Sequence, residues 1–212
     1  MELKGKKVNF LGDSITQGVG ASTAENMYVQ VFGRITETEV RNYGISGTRI
    51  ARQHGDYPYG ECYCDRIDIM DGDADIVVVF GGTNDYGHGD APVGAPGDTT
   101  PDTFYGACDF LMRSLIEKYP AATIVFLTPF HRTGEDLPSD RRPDDTVLKT
   151  FVDIIVRMAE KYSIPVLDLW KMGGIQPNVE VSKVTYMPDG LHPNDAGHAL
   201  LAQRLAGFLR GL

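Results

Sequence analysis

Cysteine is scarce in this chain, which argues against a fold held together by disulfides. Cys62, Cys64 and Cys108 are the only cysteines among 212 residues, an odd number in a chain long enough to bury a core without cross-links. Cys62 and Cys64 also lack a second pair at the spacing of a structural zinc site. We therefore expect three free thiols, buried or half-buried.

Clustered positive charge is scarce as well. The formal net charge is -9, which opposes a general affinity for nucleic acid or for anionic membrane surfaces. The arginine pair Arg141 and Arg142 stands among Asp140, Asp144 and Asp145, so we expect a solvated charged loop there. The predicted partner is a small-molecule ester substrate, with no nucleic acid, and the sequence leaves a homo-oligomer open.

Long hydrophobic runs are missing too. The longest strongly apolar run is IVVVF at 76–80, whereas a helix that spans a bilayer needs about 20 residues. The amino-terminal apolar run is short and is broken by Asn9, unlike a secretory signal. We expect a cytoplasmic protein without stable membrane insertion, although a secreted form whose leader had been removed would look the same.

The apolar residues that are present form strands alternating with helices. Residues 1–212 lack an internal repeat or a clear linker, so we expect a single domain. Five short β-branched or aromatic runs predict strands at 7–11, 39–43, 75–80, 123–128 and 165–169. Apolar spacing of three and four predicts helices within 25–37, 102–120, 145–163 and 194–212. This alternation predicts an α/β fold, a three-layer α/β/α sandwich around a mostly parallel five-stranded sheet.

Four short stretches between the predicted strands and helices contain polar residues of the types found in active sites. GDSIT at 12–16, NYGISGT at 42–48 and GGTND at 81–85 each follow a predicted strand, and DGLHPN at 189–194 precedes the last helix. The carboxyl ends of parallel strands share one edge of the sheet, where open α/β sheets bind ligands. Two long loops, 86–102 and 131–145, leave the same edge and are predicted to wall a site.

The residue types in these stretches suit nucleophilic catalysis. A serine hydroxyl needs an imidazole to take its proton and a carboxylate to orient that imidazole. Ser14 supplies the hydroxyl, while Asp189 and His192 stand three residues apart in a turn. The backbone N–H groups of Ser14 and Gly47 and the side-chain amide of Asn84 could stabilise an oxyanion.

These stretches resemble the conserved blocks of the SGNH hydrolases, also called the GDSL-like lipase/acylhydrolase superfamily. Ser14, Gly47, Asn84 and His192 match the four residues of the family's name, in family order. The resemblance implies a flavodoxin-like fold and ester hydrolysis through an acyl-enzyme, with neither metal nor cofactor. It also implies that Ser14 is the nucleophile, His192 the base and Asp189 its orienting acid. Ile15 departs from the family's leucine but keeps the apolar character.

Other residues near these blocks are weaker candidates. Arg49 and Tyr86 are predicted substrate contacts because they flank the oxyanion residues. His131 and Arg132 are predicted contacts because they open the loop after the fourth strand. Asp13 is predicted to be a structural hydrogen-bonding partner. His198, on the last helix, is expected at the surface or at the rim of the site.

Several substrates and two further function classes stay open at this point. Long loops rich in Gly, Pro, Asp and Thr favour a short-acyl ester of a carbohydrate or other small polar molecule. A lysophospholipase or an acyl-thioesterase is the rival within the family. A metal-dependent phosphoesterase would instead use Asp13, Asn84, Asp189 and His192 as ligands. A binding module without activity would leave the full set of catalytic residue types unexplained.

Overall fold

A five-stranded parallel sheet forms the centre of the computed structural model, which describes residues 1–55, 61–140, 142 and 144–212. The strands are β1 (Lys7–Gly12), β2 (Glu39–Gly44), β3 (Ile76–Phe80), β4 (Thr123–Leu127) and β5 (Val166–Leu167). Their order across the sheet is β2-β1-β3-β4-β5, and every neighbouring pair is parallel. All five predicted strands are therefore confirmed, within a few residues of the expected bounds.

The register of the sheet brings the ends of three strands together. Gly12, at the end of β1, pairs with Gly44 at the end of β2 and with Phe80 at the end of β3. The segments that follow these three strands consequently leave the sheet side by side. Strands β2 and β3 lie on opposite sides of β1. The strand order therefore reverses at β1, and open α/β sheets bind their ligands at such a reversal.

Helices follow or precede each strand. Those in the described part of the chain are α1 (Ser14–Gln17), α2 (Tyr28–Thr36), α3 (Thr83–His88), α4 (Phe104–Lys118), α5 (Leu148–Lys161), α6 (Leu169–Met172), α7 (Glu180–Tyr186) and α8 (Asp195–Gly211). Short 3-10 helices cover Ala24–Asn26 and Tyr63–Arg66. The four long helices were predicted from apolar periodicity. The short helices α1, α3, α6 and α7 were not, because a single turn has too few residues to show a period.

The core consists of two apolar layers, one on each face of the sheet. In β3, Val77 and Val79 face the layer that contains α4 and α5, whereas Ile76, Val78 and Phe80 face the layer that contains α2 and α8. Alternate residues of a strand point to opposite faces, so a strand covered on both sides is apolar throughout. The predicted three-layer α/β fold is confirmed.

One sequence-based expectation about side chains is met and another is not. The three cysteines are free and buried, as expected. Arg142 is buried and donates hydrogen bonds to the carbonyl oxygens of Asp85 (2.6 Å) and Ala91 (3.1 Å), besides its ion pair with Asp144. The prediction of a solvated basic pair is therefore wrong for Arg142, because neighbouring carbonyls satisfy its guanidinium. Arg141 lies outside the described residues.

The helices of the described segments are also informative about membranes. None of them combines the length and the hydropathy that a bilayer-spanning helix requires.

Candidate active site

Ser14 is the first residue of α1, directly after β1. The Asp13 side chain caps this short helix by accepting a hydrogen bond from the Ile15 N–H (3.0 Å). The turn from strand to helix is tight: a Cβ on Gly12 would lie 2.0 Å from the Thr16 hydroxyl oxygen. Glycine is therefore required at position 12, and the tight turn sets where the Ser14 hydroxyl emerges from the sheet.

His192 and Asp189 lie in the loop between α7 and α8. The His192 Nδ1 is 2.7 Å from Asp189 Oδ2, and Asp189 Oδ1 accepts the backbone N–H groups of Leu191 (2.8 Å) and His192 (2.7 Å). Gly190 between them has a φ of +79°, a left-handed conformation that favours glycine. A Cβ on Gly190 would lie 2.2 Å from the Thr133 hydroxyl oxygen. This loop geometry holds the carboxylate against the ring.

The environment of Asp189 keeps its carboxyl ionised. Partial burial raises the pKa of Asp189, but the hydrogen bonds from the backbone and ring of His192 and from the Leu191 N–H outweigh burial, so the pKa lies below its usual value. An ionised carboxylate accepts the Nδ1 proton of His192. The Nε2 of the neutral ring is then an acceptor.

The Ser14 hydroxyl completes this line of groups. Ser14 Oγ lies 3.0 Å from His192 Nε2, within the distance that a general base needs to take a proton. The hydroxyl can donate to Nε2 while Nδ1 donates to Asp189. The structure thus brings together Ser14, His192 and Asp189, as the sequence predicted, in the order of a nucleophile, a base and an orienting acid.

Potential oxyanion donors surround the same hydroxyl. Gly47, in the loop after β2, and Asn84, in the first turn of α3, line one cavity together with Ser14. Asn84 Nδ2 donates one hydrogen to the Thr48 carbonyl oxygen (3.1 Å), which leaves its second hydrogen for another acceptor. The Ser14 N–H belongs to the first turn of α1, where backbone N–H groups have no acceptor within the helix.

The cavity over these residues has a volume of about 660 Å³. Its described lining comes from the ends of β1, β2 and β3 and from the loop after β4, so the loop that begins at 131 walls the site as predicted. Loop residues Thr133–Asp140 form one side. The lining residues are Ser14, Ser46, Gly47, Asn84, Tyr86, Gly87, His88, Arg132, Thr133, Gly134, Leu137, Pro138, Ser139, Asp140, Leu191 and His192.

Of the four predicted substrate contacts, Arg132 lines this cavity, and so does Tyr86. Its hydroxyl lies 2.8 Å from the carbonyl oxygens of both Gly134 and Leu137, so the ring braces the loop wall. Arg49 is buried beneath the cavity, where its Nη1 donates to the Gly47 carbonyl oxygen (3.1 Å). The prediction that Arg49 contacts substrate is therefore corrected, since its side chain points into the protein.

His131 is also outside the cavity lining. Its Nδ1 is 2.7 Å from the Glu135 carboxylate, and its Nε2 is 3.0 Å from the Trp170 carbonyl oxygen. Both ring nitrogens are thus engaged within the protein. His131 holds the base of the loop that carries Arg132, and a substrate contact by His131 stays a prediction.

His198 was expected at the surface or at the rim, and the structure contradicts that expectation. The side chain is fully buried; its Nδ1 accepts the Tyr28 N–H (3.2 Å), and its Nε2 donates to the Val19 carbonyl oxygen (3.2 Å). Burial lowers the pKa of His198, only partly offset by the hydrogen bond to Val19 and by Asp195. His198 is a neutral core residue.

Sequence reasoning missed Arg66, which shapes the site, whereas Arg132 was among the predicted substrate contacts. Arg66 is buried and donates to the carbonyl oxygens of Tyr43 (2.7 Å) and Gly12 (3.0 Å), which joins the ends of β2 and β1. Arg132 donates to Thr83 Oγ1 (3.2 Å), and its guanidinium lies 5.4 Å from the centre of the Tyr86 ring. No spacing or motif marked Arg66, because it acts on carbonyl oxygens that only the fold brings near.

Acidic and imidazole groups that a metal would need do not cluster in the described ranges. Among residues 1–55, 61–140, 142 and 144–212, no group of three or more His, Cys, Asp or Glu side chains could hold a metal ion. Asp13 is committed to capping α1, and both carboxylate oxygens of Asp189 accept hydrogen bonds from its own loop.

Comparison with known proteins places the fold and the family. One solved structure is 33% identical with a TM-score of 0.89, over 100% of this chain and 99% of its own. A protein from Lactobacillus plantarum is 30% identical with a TM-score of 0.86, over 98% of both chains. A two-domain esterase active on acetylated mannans, co-crystallised with mannopentaose, is 22% identical with a TM-score of 0.64, over 99% of this chain and 50% of that one. At that identity the likeness shows the fold alone.

The family assignment comes from the sequence as a whole. No curated protein matches the chain significantly. The model of the GDSL-like lipase/acylhydrolase family, by contrast, matches residues 10–200, which include every polar stretch singled out above. This chain belongs to the GDSL-like lipase/acylhydrolase family.

Proposed function

We propose that this chain is a serine esterase that hydrolyses a short-acyl ester, such as an acetyl ester, of a carbohydrate or another small polar molecule. The family is one of ester hydrolases. The observation that carries the proposal is the hydrogen-bonded line from Ser14 Oγ through His192 to Asp189, with distances of 3.0 and 2.7 Å. A serine so paired with a neutral imidazole is activated as a nucleophile.

The proposed reaction passes through an acyl-enzyme. Ser14 Oγ attacks the ester carbonyl carbon while its proton moves to His192 Nε2. The oxyanion that forms accepts hydrogen bonds from the N–H groups of Ser14 and Gly47 and from Asn84 Nδ2. The intermediate then collapses, and His192 gives its proton to the departing alkoxide.

Deacylation repeats these steps with water. His192 takes a proton from water as the water oxygen attacks the acyl carbon, and the second tetrahedral intermediate releases the carboxylic acid and restores the Ser14 hydroxyl. Asp189 stays ionised throughout and stabilises the imidazolium that forms in each half of the reaction. Its lowered pKa is consistent with that part.

The lining of the cavity supports a polar substrate with a short acyl group. Ser46, Thr133 and Asp140 offer hydrogen-bonding groups, whereas the apolar lining is limited to a few side chains such as Leu137 and Leu191. A long acyl chain needs an extended apolar tunnel. The similarity in fold to half of a two-domain esterase that is active on acetylated mannans is consistent with such a substrate.

A panel of esters tests the proposal and its alternatives together. The enzyme is assayed with p-nitrophenyl esters from acetyl to palmitoyl, an acyl thioester, a lysophospholipid and p-nitrophenyl phosphate, each with and without EDTA. We expect the highest kcat/KM with acetyl or propionyl and no loss with EDTA. Preference for a long acyl chain, the thioester or the lysophospholipid would favour the rival specificities within the family. Phosphatase activity lost on chelation would favour a metal-dependent phosphoesterase.

A further inference from the structure

The amide of Asn84 is held at both of its ends. Its Nδ2 donates to the Thr48 carbonyl oxygen (3.1 Å), and its Oδ1 lies 3.1 Å from His88 Nε2, one turn further along α3. Both partners are needed to define the orientation, because an amide rotated by 180° exchanges its nitrogen for its oxygen. A rotated Asn84 would direct an acceptor at the oxyanion instead of a donor.

The proton on His88 is placed by its other neighbour. Arg49 Nη1 lies 3.1 Å from His88 Nδ1. A guanidinium only donates, so Nδ1 must accept and the proton of the neutral ring lies on Nε2. Nε2 therefore donates to Asn84 Oδ1. Hydrogen bonds run in one direction, from Arg49 to His88 and from His88 to Asn84.

The same arginine also holds the other side of the oxyanion site. Arg49 Nη1 donates to the Gly47 carbonyl oxygen (3.1 Å), and the side chain is almost fully buried. Below this level, the Asp85 carboxylate accepts the N–H groups of Ile50 (3.0 Å) and Ala51 (2.9 Å). The loop after β2 is consequently joined to helix α3 by two sets of hydrogen bonds, one through Arg49 and one through Asp85.

We propose that His88 and Arg49 are positioning residues that orient the Asn84 amide and set its distance from Gly47, so that both aim at the oxyanion. The proposal rests on the proposed esterase function. Preorganised donors are effective because they need no reorientation during the reaction. Loss of the relay lets the amide rotate while leaving Ser14, His192 and Asp189 in place.

Steady-state kinetics with p-nitrophenyl acetate test the relay. His88→Ala is expected to lower kcat about tenfold with little change in KM, less than the loss of the donor itself, which costs about 10²–10³ in kcat. His54→Ala serves as a matched control, because His54 lies outside the cavity lining and we expect its kcat to be unchanged. A rise in KM without a fall in kcat would mean that His88 acts as a substrate contact, and would overturn the proposal.

A double-mutant cycle gives the sharper test. Once Asn84 is alanine there is no amide to orient, so adding His88→Ala is expected to cause almost no further loss of kcat. A tenfold loss from His88→Ala in both backgrounds would contradict the proposal. Arg49→Met, which removes the Nη1 group that donates to both Gly47 and His88, is expected to lose only part of its effect in the Asn84→Ala background, because the Gly47 carbonyl still loses its partner. Thermal unfolding of each variant checks that it is folded.

One further variant separates this proposal from the function on which it rests. If Ser14→Ala retained wild-type hydrolysis, the esterase mechanism itself would fail. If hydrolysis depended on Ser14 but the Asn84 and His88 effects were additive, only the relay would fail.

Discussion

Ser14 Oγ and His192 Nε2 lie 3.0 Å apart although 178 positions separate the two residues in the chain. The contact joins the end of β1, near the middle of the sheet, to the loop that precedes the last helix. It exists because α8 packs against α2 beside β1 and returns the loop to the carboxyl edge of the sheet. The Ser14–His192 contact therefore depends on the docking of α8.

This contact predicts a single reactive serine. Ser14→Ala is expected to abolish covalent labelling by a fluorophosphonate probe and to abolish ester hydrolysis, because Ser14 is the serine whose hydroxyl is paired with His192 in the described part of the chain. Ser114→Ala, on α4 and away from the cavity, is the matched control and should label normally. Mass spectrometry of the labelled peptide locates the site. Adduct formation at another residue in the Ser14→Ala variant would contradict the assignment.

Asn84 allows a second test, of the oxyanion site. Asn84→Ala is expected to lower kcat by about 10²–10³, the cost of losing one oxyanion donor. Asn84→Asp keeps the size of the side chain but replaces the donating amide with a carboxylate, so we expect a loss at least as large. The measurement is kcat with p-nitrophenyl acetate for both variants. Near wild-type turnover of the aspartate variant would remove Asn84 from the oxyanion site.

Much of the fold could be predicted because the sheet is buried on both faces. A strand such as β3 must then be apolar at every position, and IVVVF is distinct enough to be recognised from the sequence. Ser14, Gly47 and Asn84 could be predicted for a related reason: they follow strand ends, and parallel strands share an edge. Both inferences need only the order of elements along the chain.

The residues that were misjudged depend on side-chain direction, which a strand or loop pattern does not reveal. Arg49 stands two positions after Gly47, yet it points inward because backbone and ring acceptors lie beneath it. For His198 a signal was present: it precedes Leu201 and Leu205, both buried on α8, by three and seven positions. Helical spacing placed it on the buried face, and its polar character misled the prediction.

Gly190 offers a test of the loop that joins Asp189 to His192. Gly190→Ala is expected to lower kcat at least tenfold, because a Cβ would lie 2.2 Å from the Thr133 hydroxyl oxygen and would displace the catalytic loop. A left-handed φ at a residue with a Cβ also costs about 1–2 kcal/mol of stability. Urea unfolding and kcat are measured together.

Gly5→Ala is the matched control for this substitution. Gly5 has a φ of +76°, close to the +79° of Gly190, but nothing lies within 4 Å of a Cβ built there. The two variants should lose stability through the same backbone strain, whereas only Gly190→Ala should lose turnover. Equal kcat values for both would show that the loop tolerates the displacement.

The buried imidazole of His198 predicts a loss of stability in acid. Burial lowers the pKa of His198 below its usual value near 6.5. At mildly acidic pH the imidazole is therefore protonated in the unfolded chain but still neutral in the folded protein. The resulting stability is fully present above about pH 6.5 and falls as the pH is lowered through the folded-state pKa. Urea unfolding from pH 5 to 8 should show a smaller acid loss for His198→Gln. Parallel curves for the two proteins would contradict this prediction.

Asp13 predicts a pH effect of the opposite sign. Burial raises the pKa of its carboxyl to about 7, and the nearby Asp85 adds to the rise, against the lowering by the Ile15 N–H. The folded protein therefore binds a proton that the unfolded chain, with a pKa of 3.8, has already lost. The corresponding stability is fully present below about pH 4 and is lost as the pH rises to about 7.

Asp13→Asn isolates this contribution because asparagine keeps an oxygen for the Ile15 N–H but cannot ionise. The free energy of unfolding of both proteins is measured in urea between pH 4 and 8. As the pH rises, the value for the wild-type protein should fall relative to the value for the variant. At pH 8 the variant should be the more stable of the two, because no charge has to be buried at position 13. The prediction is contradicted if the difference in unfolding free energy between the two proteins stays constant with pH. Asp13 would then be ionised in the folded state throughout this range. The charge of Arg66, which lowers the Asp13 pKa, would fully compensate the buried carboxylate.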